Sequence, residues 1–416
     1  MARLLLLLPT RTYRTEAFVE AAHKLGVDLV CASEEPSTLE ALAPDSLLTL
    51  DFADLEGSVR RVAAWSRNRP LDAVVGVDDL TAATAAAIAE RLGLKTSRAA
   101  AVAAARNKLE LRRRLAAAGL PVPRFRRLAL DEDPRRAAAE VRYPCVLKPL
   151  ALSASRGVIR ADTPEQFVAA FRRIGALLSR PDVPVHGDAA RALLVEDYIP
   201  GIEVALEGLL VRGTLEVLAL FDKPDPLEGP YFEETIYVTP SRLRAARQAA
   251  VAEATERAAH ALGLEEGPVH AELRLNEQGV WVIELAARSI GGLCSRTLRF
   301  GTGMTLEEVI LRHALGWELP SLAREGRAAG VMMIPVPRAG RLAAVRGQAE
   351  AAAVPGIEEV VITAHLGQEV EPLPEGWQYL GFIFVRGERP EAVEAALRRA
   401  FDHLAFDIVG SEPETR

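Results

Sequence analysis

Between Arg3 and about Leu94 the chain alternates short, almost wholly apolar runs with amphipathic stretches. The runs are RLLLLL, VDLVCA, SLLTLDF and LDAVVGV. Helical spacing covers about Glu16 to Leu25, Leu55 to Asn68 and an alanine-rich stretch after Asp79. Such runs separated by helices predict βαβ units with strands buried in a parallel sheet. A longer helical pattern runs from about Ser97 to Ala118, ended by Gly119, Pro121 and Pro123. Shorter strands then mix with helices up to about Ala314, an α+β pattern. Roughly residues 325–410 add strands at GVMMIPV, EEVVITA and LGFIFVRG and a closing helix from Pro390 to Leu404. A chain of 416 residues holds more than one core. We expect domains at 1–95, 96–315 and 325–410, with no internal repeat and no low-complexity linker.

The stretch HAELRLNEQGVWVIELAARSIGG, residues 270–292, alternates with period two on both sides of Gly279, which predicts a β-hairpin. A three-residue loop of Glu277, Gln278 and Gly279 pairs Asn276 with Val280 and sets Glu272 opposite Glu284. One face then carries Ala271, Leu273, Leu275, Trp281, Ile283 and Leu285. The other carries His270, Glu272, Arg274, Val282, Glu284 and Ala286. Directly opposed β-carbons lie about 5 Å apart, where two like charges repel by roughly 3 kcal/mol at an effective dielectric of about 20. Something positive belongs between them. On this stretch alone two readings stand: a solvated face neutralised by Arg274 and His270, or a divalent cation site, since Mg²⁺ takes one or two carboxylates plus phosphate oxygens.

Composition narrows the partners. The net charge of −7, without a basic block, argues against nucleic acid. Cys31, Cys145 and Cys294 are too few and scattered for a disulfide framework or a thiolate site, which fits a reducing cytoplasm. The opening MARLLLLLP is short for a signal sequence, and no segment is long enough to span a membrane. Only five lysines stand among 50 basic residues, namely Lys24, Lys95, Lys108, Lys148 and Lys223. A lysine retained against so strong an arginine bias fits a place where a compact ammonium meets phosphate. The N-terminal βαβ region is Rossmann-like in class, but its first turn, LPTRTYRTEAF, lacks the glycine fingerprint of a dinucleotide site.

Four further features lie between residues 108 and 203. Lys108 sits in a helix leading to a proline-rich exit; a solvated helix lysine is its plain reading. Lys148 ends the apolar strand of YPCVLKPL. The small-residue turn LSASRGV follows, whose amides can cradle phosphate oxygens and whose Arg156 can add a charged fork. In LLVEDYIPGIEVALEG a strand runs into Glu196 and a sharp turn, leaving backbone groups from Glu196 to Ile199 free to read a base edge and Glu203 to accept from sugar hydroxyls.

Together, in this order, these features resemble the ATP-grasp superfamily over roughly residues 1–315. The resemblance implies a Rossmann-like N-terminal domain, an ATP-grasp fold and a C-terminal α+β lobe. It implies ATP, with Mg²⁺ or Mn²⁺, as what the site takes. Lys108 and Lys148 would touch the phosphates under a loop of Ser153, Ser155, Arg156 and Gly157. Glu196, Asp197, Tyr198, Ile199 and Glu203 would hold the adenosine. Glu272 and Glu284 would hold the metal, and Arg288 the substrate carboxylate or its acyl phosphate. Lys223, His270, Gly291 and Gly292 would lie on the substrate side; a loop lysine and a structural histidine are the plain readings of the first two. Many members carry an asparagine two positions after the second metal glutamate, where this chain has Ala286. ELAARSIGG, DDLTAATAAAIAERLGL and FDKPDPLEGPYFEE look most similar to the L-amino acid ligase-like carboxylate–amine ligases. The implied reaction joins a small carboxylic acid to an amine through an acyl phosphate, releasing ADP and phosphate. A bicarbonate-using carboxylase and an ATP-binding sensor without turnover are the alternatives, and a homodimer is the base-rate assembly.

Overall fold

The computed structural model describes residues 1–410 apart from 38, 39, 41 and 184. The N-terminal unit contains β1 (Arg3–Leu7), α1 (Thr15–Lys24), β2 (Asp28–Ser33), β3 (Leu47–Thr49), α2 (Leu55–Trp65), β4 (Ala73–Gly76) and α3 (Asp79–Leu92). Its strands form a parallel sheet in the order β3-β2-β1-β4. Leu4 and Leu6 of β1 enter one core while Leu5 and Leu7 enter another, which is why the run is apolar without alternation. Asp78 caps α3 by accepting from the amides of Leu80 and Thr81.

The expected helix from Ser97 to Ala118 is two helices, α4 (Ala99–Arg106) and α5 (Lys108–Ala117). Asn107 breaks it: its backbone is extended, and its side chain caps α5 by accepting from the amides of Leu109 and Glu110. The break turns Lys108 into the first residue of α5.

A separate antiparallel sheet, in the order β5-β8-β6-β7, forms a second unit, called the lid below for the place such a unit has in the fold the sequence resembles. It comprises β5 (Phe125–Ala129), α6 (Pro134–Glu140), β6 (Cys145–Pro149), β7 (Ile159–Ala161), α7 (Pro164–Leu178) and β8 (Ala192–Asp197). Phe167, Phe171 and Ile174 of α7 pack against Leu147 and Val195 of the sheet.

The central unit has β9 (Ile202–Val211), β10 (Thr214–Asp222), β11 (Ile236–Thr239), α8 (Ala245–Leu262), β12 (Gly267–Asn276), β13 (Gly279–Ala286) and α9 (Leu306–Ala314). The C-terminal segment adds β14 (Ala328–Ile334), β15 (Gly340–Arg346), α10 (Gln348–Ala352), β16 (Ile357–Ile362), β17 (Glu369–Val370), β18 (Gly381–Gly387), α11 (Pro390–Asp402) and β19 (Ala405–Val409). It does not stand as a sheet apart. β14, β18 and β16 extend the central sheet to eight strands, β13-β12-β9-β10-β11-β14-β18-β16, while β17, β15 and β19 form a small second sheet.

The β12–β13 hairpin is as expected in kind and different in register near its turn. Asn276 pairs with Gly279, so the loop has one residue fewer than expected, and Leu273 pairs with Val282. A bulge at Ile283, between the Leu273–Val282 and Glu272–Glu284 pairs, then restores the expected pairing of Glu272 with Glu284. The shift moves Val282 into the core, 3% exposed, and takes Trp281 out of it, where its indole N–H donates to Asn276.

Candidate active site

Cross-strand register explains why the site's side chains meet. On one face of the central sheet β12 presents His270, Glu272 and Arg274, directly opposite Glu207, Ala205 and Glu203 of β9. His270 Nδ1 lies 3.1 Å from Glu207 Oε2, and Arg274 Nε donates to Glu203 Oε2 at 2.7 Å. Ala205, opposite Glu272, has no side chain to fill the gap. Lys223, just past the end of β10, reaches into it. Its ammonium donates to Glu203 at 2.8 Å and to Glu234, and lies 3.5 Å from Glu272.

Glu203, Glu234 and Glu272 have oxygens close enough together to suggest a cation cage. The Lys223 ammonium already sits among them, so we read the cluster as three acids sharing a fixed cation. Burial by itself would lower the Lys223 pKa; Glu203, Glu234 and Glu272 outweigh it and hold it well above the usual lysine range. Burial and the charge of Glu272 push Glu234 up to about 7, against the pull of Lys223. Glu272 moves the other way: burial favours its neutral form, but Lys223 and His270 bring it well below the usual carboxylate range. Glu272 therefore carries the charge and Glu234 is the first of the two to take a proton.

Glu284 faces Glu272 across the hairpin, and its Oε2 lies 3.2 Å from the ammonium of Lys108. Lys108 also donates to the carbonyl of Leu152, at the entry of the small-residue loop, at 2.7 Å. Both hairpin carboxylates keep an open side, with side-chain exposures of 23% for Glu272 and 29% for Glu284.

Lys148 and Glu196 turn towards each other. Glu196 accepts from Lys148 at 2.7 Å and from Arg112 at 2.6 and 3.3 Å, all three buried. Burial would raise the Glu196 pKa, but Arg112 and Lys148 bring it down to about 2. Its carboxylate is thus an anchor between α5 and the lid. Nor is the backbone after it wholly free, as we had expected. The amides of Asp197 and Tyr198 donate to Arg124 and Pro144, and Ile199 O accepts from Arg274. The Asp197 side chain pairs with Arg124, while the Tyr198 ring lies under the guanidiniums of Arg160 and Arg274.

In the small-residue loop Ser153 and Ala154 are exposed, and Ala154 and Ser155 take φ of +55° and +53°. Gly157, at φ +74°, lies so close to Pro149 that a β-carbon there would come within 2.6 Å of it. Arg156 does not offer its fork to the loop's interior. It is buried, donating to Asp182 at 2.6 Å and to the carbonyl of Glu375 at 2.7 Å.

Arg288 follows β13. Its guanidinium donates to Asp79 at 2.7 Å and to the carbonyl of Ser289 at 2.9 Å. Burial would lower its pKa; Asp79 raises it beyond the ordinary arginine value. Gly291 has open space where a side chain would stand, whereas a β-carbon on Gly292 would come within 3.1 Å of the Phe382 ring. Sequence reasoning missed Asp79, Arg112, Glu207 and Glu234. Glu207 had a signal, an acid inside the buried strand VALEGLL. Its Oε2 also accepts from the amide of Ile290, while its buried Oε1 has no hydrogen-bond partner among the described residues.

The N-terminal parallel sheet, the lid sheet and the central sheet with its hairpin form an ATP-grasp fold. Three family models match in chain order: an ATP-grasp N-terminal domain over residues 19–96, an ATP-grasp domain over 141–297 and an L-amino acid ligase C-terminal domain over 332–409. The chain belongs to the ATP-grasp superfamily, and within it is similar to the L-amino acid ligases. The crystal structure of L-amino acid ligase from Bacillus licheniformis superposes with a TM-score of 0.82 at 26% identity, covering 99% of each chain. Alanine–anticapsin ligase of Bacillus subtilis is 29% identical over 58% of this chain and 53% of its own. Carnosine synthase 1 of Gallus gallus is 30% identical over 80% of this chain and 38% of its own. The chain thus spans about half or less of these two relatives' length.

Proposed function

We propose that the protein is an ATP-dependent, ADP-forming carboxylate–amine ligase that joins an amino acid or another small carboxylic acid to an amine. The observation that carries this is the Glu272–Glu284 pair, opposed across the hairpin with a lysine on each and an open side. It lies beside a lid whose Lys148 and small-residue loop stand near Lys108. Relatives named for amide or peptide formation support the same reaction.

Two opposed, partly open carboxylates on neighbouring strands suit a hard divalent ion. Glu272 and Glu284 would hold Mg²⁺, or Mn²⁺ in its place, and the ion would offset phosphate charge. Ala286 adds no ligand. Lys108 and Lys148 bind phosphate oxygens. The small-residue loop from Ser153 to Ser155 closes over the terminal phosphate. Glu203 still has acceptor capacity for sugar hydroxyls beside Lys223 and Arg274. Arg288 binds the acid and its phosphorylated form.

The acid's carboxylate oxygen attacks the γ-phosphorus, breaking the bond to ADP. The amine then attacks the acyl carbon, and phosphate leaves with the transferred oxygen. Positioning and charge neutralisation supply the rate, while the closed lid keeps water from the acyl phosphate. The test is a phosphate-release screen over paired amino acids with mass spectrometry of the product. ADP and phosphate formed only with a productive pair are expected. AMP with pyrophosphate overturns the mechanism, and strict dependence on bicarbonate selects a carboxylase.

A further inference from the structure

We propose that Glu371–Gly376, a loop of the C-terminal lobe, is the catch that holds the lid, with its phosphate loop, closed over the site. This gives the lobe a role in the reaction: keeping water from the acyl phosphate. The chemistry of that role rests on the ligase reading; the catch itself rests on geometry.

The lid meets this loop through four residues in three parts of its own sequence. The Gly157 amide donates to Pro374 O at 2.8 Å, and Arg156 Nε to Glu375 O at 2.7 Å. Arg173, on α7, forks onto the Glu375 carboxylate, with Nη2 donating at 2.7 Å. Arg180, just after α7, donates to both oxygens of Glu371 at 3.0 and 2.9 Å. Asp182 joins the set by accepting from Arg156 and Arg180. One short loop thus binds the phosphate loop, the lid's long helix and that helix's exit.

The loop is built to be rigid. Pro372 and Pro374 restrict its backbone, and the Gly376 amide folds back to Pro372 O at 2.8 Å. A β-carbon on Gly376 would fall 1.7 Å from Glu371 O, so only glycine fits there.

The lid's two attachments differ in kind. On the α5 side Arg112 and Lys148 both donate to Glu196, and all three are buried, a joint shielded from water and salt. On the lobe side the ion-paired side chains Arg173, Arg180, Glu371 and Glu375 are 21 to 44% exposed. Such pairs are individually weak and salt-screened. The seam is also incompletely packed, with a cavity of about 350 Å³ bordered by Arg156, Arg180, Glu371 and Trp377. A fixed joint at one side and a weak multipoint contact at the other are what a lid needs to admit a nucleotide and then shut. Arg156 is accordingly a positioning residue, not a phosphate ligand.

The test exchanges charges at one contact, with Arg173→Glu, Glu375→Arg and the double swap in the full chain. Hydrogen exchange of the peptide containing Gly157 is followed without any ligand, because that amide itself is held by Pro374. We expect each single variant to speed exchange roughly tenfold, and the double swap to return it to within about twofold of the parent. For the parent, raising NaCl from about 0.15 to about 1 M should speed exchange several-fold. With a productive substrate pair, the single variants should release ADP in excess of product, and the double swap should restore the ratio. Unchanged exchange in the single variants, exchange unaffected by salt, or a double swap no slower than the singles overturns the catch. The exchange arm needs no substrate. Exchange that responds as expected in a protein that ligates no pair sinks the ligase reading and leaves the catch standing.

Discussion

Glu272 stands directly across the hairpin from Glu284, yet the two carboxylates lean on different lysines, Lys223 for the first and Lys108 for the second. Each lysine offsets one acid without bridging the pair. The side they share is partly open, 23% for Glu272 and 29% for Glu284, and is where the proposed cation would sit.

That arrangement predicts separable effects. Glu272→Gln and Glu284→Gln should each lower kcat by about 10²-fold or more and raise the Mg²⁺ concentration for half-maximal rate, as loss of a transition-state charge partner does. Magnesium titrations of the purified variants check this. The melting temperature of Glu284→Gln should stay close to the parent's, because that side chain is partly open to water, whereas Glu272→Gln removes a charge partner of the buried Lys223 and should lower it.

Glu196 should behave as a structural charge. Glu196→Gln leaves Arg112 and Lys148 buried against a neutral partner, which costs about 3–5 kcal/mol for a buried pair. Denaturant unfolding measures it. The pH dependence has a fixed sign. The native pKa, about 2 against 4.5 for the free group, is lowered, so this stability is present above 4.5 and disappears as pH falls through about 2. Integrated over that window it amounts to at most about 3 kcal/mol, and less to the extent that burial also lowers Lys148. The variant's acid unfolding should flatten over the same range.

Asn107 aims Lys108 by ending α4 and capping α5. Asn107→Ala should cost about 1 kcal/mol of stability. It should also raise KM for ATP more than it lowers kcat, a split that steady-state kinetics reads directly.

Arg288 is held by Asp79 and Ser289 O. Lysine keeps the charge and loses the planar fork. Arg288→Lys should lower kcat/KM for the acid about 10²-fold with little change in KM for ATP, measured with acid and nucleotide varied in turn.

Much of this was legible in the chain. Four apolar runs predicted the N-terminal parallel sheet, and period-two alternation found the hairpin and the opposed glutamates. The turn was misjudged because a two-residue loop followed by a bulge ends in the same Glu272–Glu284 pairing as a three-residue loop. The pairings between the turn and Ile283, among them those of Trp281 and Val282, tell them apart. Asn107 was overlooked because alanine-rich helical spacing continues on both sides of it. Glu196 and Arg156 were given to the nucleotide because residue type names a charge but not its partner. Arg112 and Glu375, which claim them, lie 84 and 219 residues away. The three strands that extend the central sheet are equally a matter of tertiary pairing, which no local period announces.

Oxygen transfer tests the central claim most directly. Supplied with an acid labelled with ¹⁸O in its carboxylate, ATP and a productive amine, the protein should release phosphate carrying one ¹⁸O per amide bond formed, with ADP unlabelled. Label recovered in AMP, or phosphate free of label while amide accumulates, would contradict an acyl phosphate between Glu272, Glu284 and Arg288.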